Sequence, residues 1–335
     1  MISKNNNLKE KNLAYGGQAL IEGVLMRGKD GYAYTIKKPD NDFYKEKVNY
    51  TALGKRIKLF GLPLIRGIIG LFESLIIGVK VLNKSASIAM PEEENTKDKN
   101  KTVSDLTMIL LFIVSFAVAL LIFVGIPYFL TSLFSLNHND NPILYNLTAG
   151  IIRLIFFMIY IILISFMKDT NRLFGYHGAE HKAVNTYEAN YELTVENVKK
   201  HTRFHPRCGT SFVFIVFIIT LIVFPFFNIF FNTQTWYQAI SNLPFGSVIQ
   251  RLIHVFAHLL IGMPIVAAIS YELLKLSQKF ENNFIIKILI SPGLFFQLFT
   301  TREPDDTMIK SAIYSLKMLL GDEEQATVRN INDKI

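Results

Sequence analysis

The chain has 335 residues, half of them hydrophobic, with 28 phenylalanines and only 19% charged side chains, and its mean hydropathy is +0.30. A soluble domain of this size rarely needs so much apolar mass, and disorder, which requires the opposite composition, is excluded. The single cysteine, Cys208, cannot close an intrachain disulfide, which excludes a disulfide-stapled secreted protein. The net charge of +8 would suit nucleic acid, but the distribution of Lys and Arg along the chain points to membrane topology instead.

Met1 to Lys11 is polar, lacks an apolar core and does not read as a cleavable signal peptide. Between Ala14 and Tyr50, Gly-Gly, Gly-Lys-Asp-Gly and Pro-Asp-Asn-Asp punctuate short runs such as Gln18 to Met26 and Gly31 to Ile36. This predicts a small N-terminal β unit of hairpins within residues 1–58. Leu59 to Leu82 is apolar but interrupted by Arg66, Glu73, Lys80 and several glycines, so residues 59–90 are expected to form an interfacial or re-entrant helix rather than a full span. Pro91 is a stop signal, and residues 91–105, Glu/Lys-rich from Glu92 to Lys101, read as a charged linker.

Four stretches reach the roughly 20 apolar residues that cross a bilayer: Leu106 to Ile126, Tyr145 to Met167, Ser211 to Asn232, and Val248 to Ser270. Lys and Arg number 18 in residues 1–105, none in 127–144, seven in 168–210, none in 233–247 and eight after 270. Cytoplasmic loops hold such excess. The expectation is a mainly α, polytopic protein of the bacterial cytoplasmic membrane, with a four-helix membrane domain over 106–270. Both termini and the 168–210 loop face the cytoplasm, with the lipid bilayer as partner and no role with nucleic acid. Residues 271–335 carry a short apolar stretch, Phe284 to Phe299, with the breaker pair Pro292-Gly293, expected to be interfacial, and an amphipathic helix over Thr307 to Leu320.

Four of the seven histidines lie in the 168–210 loop. On a helix, His177 and His181 stand about 40° apart and can reach one metal, with Glu180 beside them to take a proton from bound water. The order H-x-x-E-H is that of inverted zinc peptidases; surface or capping histidines are the alternative. His205 and Cys208 add an imidazole and the only thiol, so four donors of zinc type fall within 32 residues, and a thiolate favours zinc over magnesium or calcium. Glu188 falls on the same face, yet helical rise carries it about 10 Å beyond His181, too far for a shared ion on a straight helix. His201 sits in a Lys/Arg-rich stretch and reads as a solvated face. His254 and His258, inside the fourth span, read as structural, and Arg153 and Arg251 as snorkelling to the outer interface or pairing with external carbonyls.

The runs Tyr15-Gly-Gly-Gln-Ala19, Glu22-Gly-Val24, Tyr176-His-Gly-Ala-Glu-His-Lys182, Thr194-Val-Glu-Asn197, Arg203-Phe-His-Pro-Arg-Cys-Gly209 and Thr300-Thr-Arg-Glu-Pro-Asp305 resemble the YqhQ-like bacterial membrane proteins, a family described as predicted metal-dependent enzymes. The resemblance covers nearly the whole chain. It implies the same fold and location, and it carries over Gln18, Glu22, Asn185, Tyr187, Glu188, Arg207 and Glu272 as residues around a site or facing substrate; His201, His254 and His258 fall outside its pattern. Two functions follow. One is a metal-dependent hydrolase of a membrane-associated substrate with Glu180 as general base. The other is a non-catalytic factor that assembles or binds other membrane proteins.

Overall fold

A computed structural model describes residues 15–90, 105–134, 142–240, 242–280, 283–322 and 327–330; Met1 to Lys11 and the Glu92 to Lys101 linker lie outside them. The first four strands form an antiparallel meander: β1 (Gly16–Leu20), β2 (Gly23–Gly28), β3 (Gly31–Lys37) and β4 (Phe43–Asn49). The run Gln18 to Met26, which reads from sequence as one stretch, is folded back on itself, with Leu20 opposite Gly23 and Gln18 opposite Leu25. A turn this short favours positive φ, and Glu22 takes φ 54° without being glycine. Its carbonyl accepts from Lys37 N at 2.7 Å, and its carboxylate accepts from Arg172 and Tyr176.

The helices follow. α1 (Ile65–Ala89) precedes the first span, in which α2 (Asp105–Leu120) passes through a π-helical turn, Leu121–Gly125, into α3 (Ile126–Leu133). Next come α4 (Pro142–Ser165), α5 (Lys168–Glu188), α6 (Val195–Lys200), α7 (Gly209–Thr233) and α8 (Thr235–Ile240). A second π turn, His258–Gly262, joins α9 (Gly246–Ala257) to α10 (Met263–Lys279); α11 (Phe284–Thr300) and α12 (Asp306–Leu320) complete the helices.

Four of these segments are long and apolar enough to cross a membrane: Ile113–Leu133, Ile143–Ser165, Gly209–Phe231 and Val248–Leu276. They point Leu121, Phe129, Leu163, Phe226 and Leu260 outward, a surface that suits hydrocarbon and not water. Each π turn frees backbone carbonyls. In the first, Arg153 Nε donates to Phe123 O at 2.8 Å, so this arginine is anchored inside the bundle rather than to an external carbonyl. His254 Nδ1 lies 2.9 Å from the Tyr237 hydroxyl, and His258 Nδ1–H donates to His254 O at 2.8 Å.

A last strand, β5 (Thr327–Asn330), pairs parallel to β4, so the C-terminal end of the chain completes a sheet begun near the N-terminus. Alternation along β2 sends Val24 and Met26 to one face, against Tyr176 and Ala179 of α5 and Ile309, Ala312 and Leu316 of α12, and Leu25 to the other, against α1 residues such as Val81. Each fully buried valine, leucine, isoleucine or methionine among these stabilises by roughly 1.5–3 kcal/mol. Ser315 of α12 donates to Val24 O at 2.9 Å. The amphipathic helix foreseen over Thr307 to Leu320 is therefore the floor of a three-layer α/β/α body built from both ends of the chain. Since α5 packs on β1 as well, the strands, the loop between the second and third spans, and the C-terminal helix all stand on one side of the bundle.

Candidate metal centre

The loop foreseen over 168–210 is largely helical, and α5 runs unbroken through Gly175 and Gly178. Helix propensity makes Gly178 a weak point; packing makes it a requirement. A Cβ there would stand 2.0 Å from Arg302 O, so only glycine lets the segment after α11 lie against the helix. That segment is fixed by Arg302 N donating to Phe174 O at 2.8 Å. From the other side, Gln297, fully buried in α11, accepts from His205 N and donates to His205 O, each at 2.8 Å. This clamps the turn that ends in Cys208, whose Sγ accepts from Thr210 N at the start of α7. A missing Cβ at Gly293 lets Ser211 come close, and α11 continues through the Pro292-Gly293 pair rather than breaking there.

Three donor atoms converge. One ligand atom from each of His177, His181 and Cys208 lies within 4.8 Å of the others, and His177 Nε2 stands 3.2 Å from Cys208 Sγ. Donors held 2.0–2.3 Å from a tetrahedral zinc are themselves about 3.3–3.6 Å apart; the His177–Cys208 pair is near that spacing, and the three atoms could close on one ion with a shift of about 1 Å. Both imidazoles are locked in one tautomer: His177 Nδ1–H donates to Thr300 O at 2.8 Å, and His181 Nδ1–H donates to Arg203 O at 2.6 Å. That leaves the Nε2 lone pairs facing inward, the arrangement of metal-ligating histidines. His181 Nε2 is buried with no hydrogen-bond partner; its nearest carboxylate oxygen, Glu180 Oε2, is 3.6 Å away.

Burial raises the Glu180 carboxyl above its usual range, and the nearby His177 and His205 rings with the Gly17 N–H only partly offset this. Burial, reinforced by the neighbouring His177 and His205, keeps His181 neutral, well below the ordinary histidine value. The Cys208 thiol is pushed up to about 12, first by burial and then by Glu180. A cation bound among these groups would reverse the thiol's preference, since a coordinated sulfur is a thiolate.

His205 stands beside this trio and not within it. Its ring centroid is 5.7 Å from that of His181, and its Nε2 lies 3.4 Å from Glu188 Oε2. Glu188 is thus kept from the three donors, as its helical rise demands, and pairs with His205 and Arg207. Asn185 Nδ2 donates to Thr202 O and Phe204 O, tying the histidine-bearing turn to α5. Tyr187 packs edge-on against Tyr15. Gln18 reaches α1, donating to Gly78 O at 3.2 Å; Glu22 pairs with Arg172; Glu272 pairs with Arg66. These three tie elements together away from the donor atoms. His201 is no freely solvated ring: its Nδ1 lies 3.1 Å from Thr186 Oγ1 and 3.0 Å from Asn197 O. Sequence reasoning missed Gln297, whose signal is a lone amide in an apolar run.

Residues 62–322 match the family described as protein of unknown function (DUF1385). The chain is also 34% identical over 321 residues, 92% of each protein, to the "Uncharacterized protein YqhQ" of Bacillus subtilis (strain 168). The chain belongs to this family. That agrees with the resemblance carried by the Tyr176 to Lys182 and Arg203 to Gly209 runs, which in this DUF1385 chain supply all three converging donors. No solved structure matches it.

Proposed function

We propose that His177, His181 and Cys208 hold a zinc ion on the cytoplasmic face of the membrane, and that the protein is a hydrolase of a membrane-associated substrate. The observation that carries this reading is the buried His181 Nε2, a lone pair with no hydrogen-bond partner, aimed where His177 Nε2 and Cys208 Sγ also point. A buried acceptor left unsatisfied costs about 1–3 kcal/mol, a cost that a cation would remove. Three protein ligands leave a fourth position open, as catalytic rather than structural zinc sites do. A zinc held by these three residues would supply Lewis-acid chemistry, lowering the pKa of a water to about 7.

The chain's own groups would do the rest. Glu180, 3.6 Å from His181 Nε2 and 3.9 Å from His177 Nε2, takes the proton from water, and its raised affinity for protons suits a base working near neutrality. The Gly17 N–H orients that carboxylate. Glu188 and Arg207 hold the His205 ring at the edge of the site.

The exposed stripe Phe72, Leu75, Ile76 and Val79 of α1 recurs at helical spacing and suits an interfacial helix resting on the bilayer beside the site. The excess of Lys and Arg on this side supports a cytoplasmic orientation.

Detergent-purified protein is expected to hold about one zinc per chain by elemental analysis. His177→Ala with His181→Ala, or Cys208→Ser, loses it, whereas His254→Ala with His258→Ala keeps it. Glu180→Gln keeps the zinc and fails to complement a deletion strain. Chelator-free, reduced protein without any stoichiometric transition metal refutes the metal, and zinc-free variants that still complement refute catalysis.

A further inference from the structure

A cavity of about 400 Å³ opens between α5 and the segment from Thr300 to Met308. On α5 it is lined by Lys168, Asn171, Arg172 and Gly175, one stripe at helical spacing. At about 100° per residue, His177, Glu180 and His181 occupy the opposite face, so the helix itself separates this cavity from the donor trio, and nothing below depends on a metal.

The charges lining the cavity are unequal in what they leave over. Arg172 is engaged by Glu22, and Glu303 is engaged by Lys182 at 2.8 Å and Arg203 at 3.8 Å. Lys168 and Arg302 have no carboxylate partner among the described residues; the Arg302 guanidinium donates to Leu298 O at 3.0 Å. Two uncompensated cations and the Asn171 amide therefore face one concavity, a donor set for a phosphate. The rim is apolar. Phe166, 75% exposed, lines the cavity where the chain leaves the Ile143–Ser165 span, with Met167, 58% exposed, next to it. An occupant that meets both surfaces carries an anionic phosphate at one end and hydrocarbon at the other.

We propose that this cavity binds the phosphate-bearing headgroup of an anionic membrane lipid, with Lys168 and Arg302 on the phosphate, Phe166 against the acyl region and Met308 forming the apolar wall. Because Phe166 at the end of the span and Lys168 at the start of α5 both line the cavity, lipid in it steadies that helix against the span.

The test uses the full chain in neutral detergent, with the unfolding midpoint followed while short-chain phosphatidylglycerol is added. Phosphatidylcholine of the same chain length and glycerol 3-phosphate are the comparison arms. Phosphatidylglycerol raises the midpoint in a saturable manner, and added salt weakens the effect. Lys168→Gln with Arg302→Gln weakens the apparent affinity about tenfold or more, which corresponds to about 1.4 kcal/mol, while Lys80→Gln with Lys58→Gln, equal in charge and outside the cavity lining, does not. If the first double variant unfolds without lipid, Lys168→Gln alone, whose side chain has no ion-pair partner to lose among the described residues, gives the reading. An equal shift from phosphatidylcholine, or undiminished affinity in the cavity variants, overturns the proposal. An equal shift from glycerol 3-phosphate overturns the lipid and leaves a soluble phosphate ester as the occupant.

Discussion

Replacing Gly178 by alanine sets two effects of opposite sign against each other. By helix propensity alone, alanine in the middle of α5 stabilises the fold by about 1 kcal/mol. By packing, the new Cβ would lie 2.0 Å from Arg302 O and 3.2 Å from Arg302 C, a backbone neighbour that cannot swing aside as a side chain can. Relief of such overpacking costs about 1–3 kcal/mol. Moving the segment also breaks Arg302 N to Phe174 O and strains His177 Nδ1–H to Thr300 O, both 2.8 Å, at about 1 kcal/mol each. The sum is a net loss of about 2–4 kcal/mol. Because His177 loses the carbonyl that orients its ring, zinc affinity falls about 10–100-fold. Chemical unfolding in detergent reads the first quantity and chelator competition the second. A Gly178→Ala protein as stable as its parent, with unchanged zinc affinity, would refute the close packing of α5 on this segment.

Glu22→Gln tests the tight turn between β1 and β2. Burial raises the Glu22 carboxyl, but the Arg172 hydrogen bonds and charge, with Tyr176 and Lys37, outweigh it and hold the group below its ordinary 4.5. A carboxyl depressed in this way stabilises the fold above its unfolded value, and the contribution disappears as pH falls from about 4.5 through the lower folded value. The variant should therefore be less stable at neutral pH, by about 1 kcal/mol, and lose less on acidification below 4.5; equal acid sensitivity of the two proteins contradicts the pairing. Gln297→Leu leaves His205 N and His205 O without their shared partner and should cost about 2–4 kcal/mol, read as a lowered unfolding midpoint with Cys208 gaining reactivity to thiol reagents. For orientation, a cysteine at Thr235 in a Cys208→Ser background should be labelled by an impermeant reagent on intact cells and one at Lys200 should not; the reverse pattern inverts the protein in the membrane.

The spans were legible because length and apolar composition decide them without reference to the rest of the chain. The pair His177 and His181 was legible from their four-residue spacing, and Cys208 from being the only thiol in the same loop. The turn at Glu22 was hidden because the residue in the left-handed conformation is not a glycine, and its support, Arg172, lies 150 residues away. Gly178 gave a misleading local signal because its missing Cβ serves a contact with Arg302 and not the helix. His205 was grouped with the donors on residue type; the partners that hold it beside them, Glu188 and Gln297, belong to other helices. The pairing of β5 with β4 has no local signature at all, for each residue of a short strand meets a partner far off in sequence.

That pairing has a consequence for how the protein is made. The strands β1 to β4 leave the ribosome well before residues 327–330, with which β4 pairs, and α12, which floors the sheet, emerges scarcely earlier than β5. Between the two lie the four described segments that are long and apolar enough to cross a membrane. The first-made piece must therefore wait, partly uncovered, while the membrane helices are threaded. An odd number of successful crossings leaves the two halves in different compartments, where the sheet cannot close. The groups that orient Glu180 and the two donor histidines share this dependence, because Gly17, Arg203 and Thr300 come from the early, middle and late parts of the chain. Completion of the site thus requires an even number of crossings, and a chain that misses one is left with its sheet unfinished.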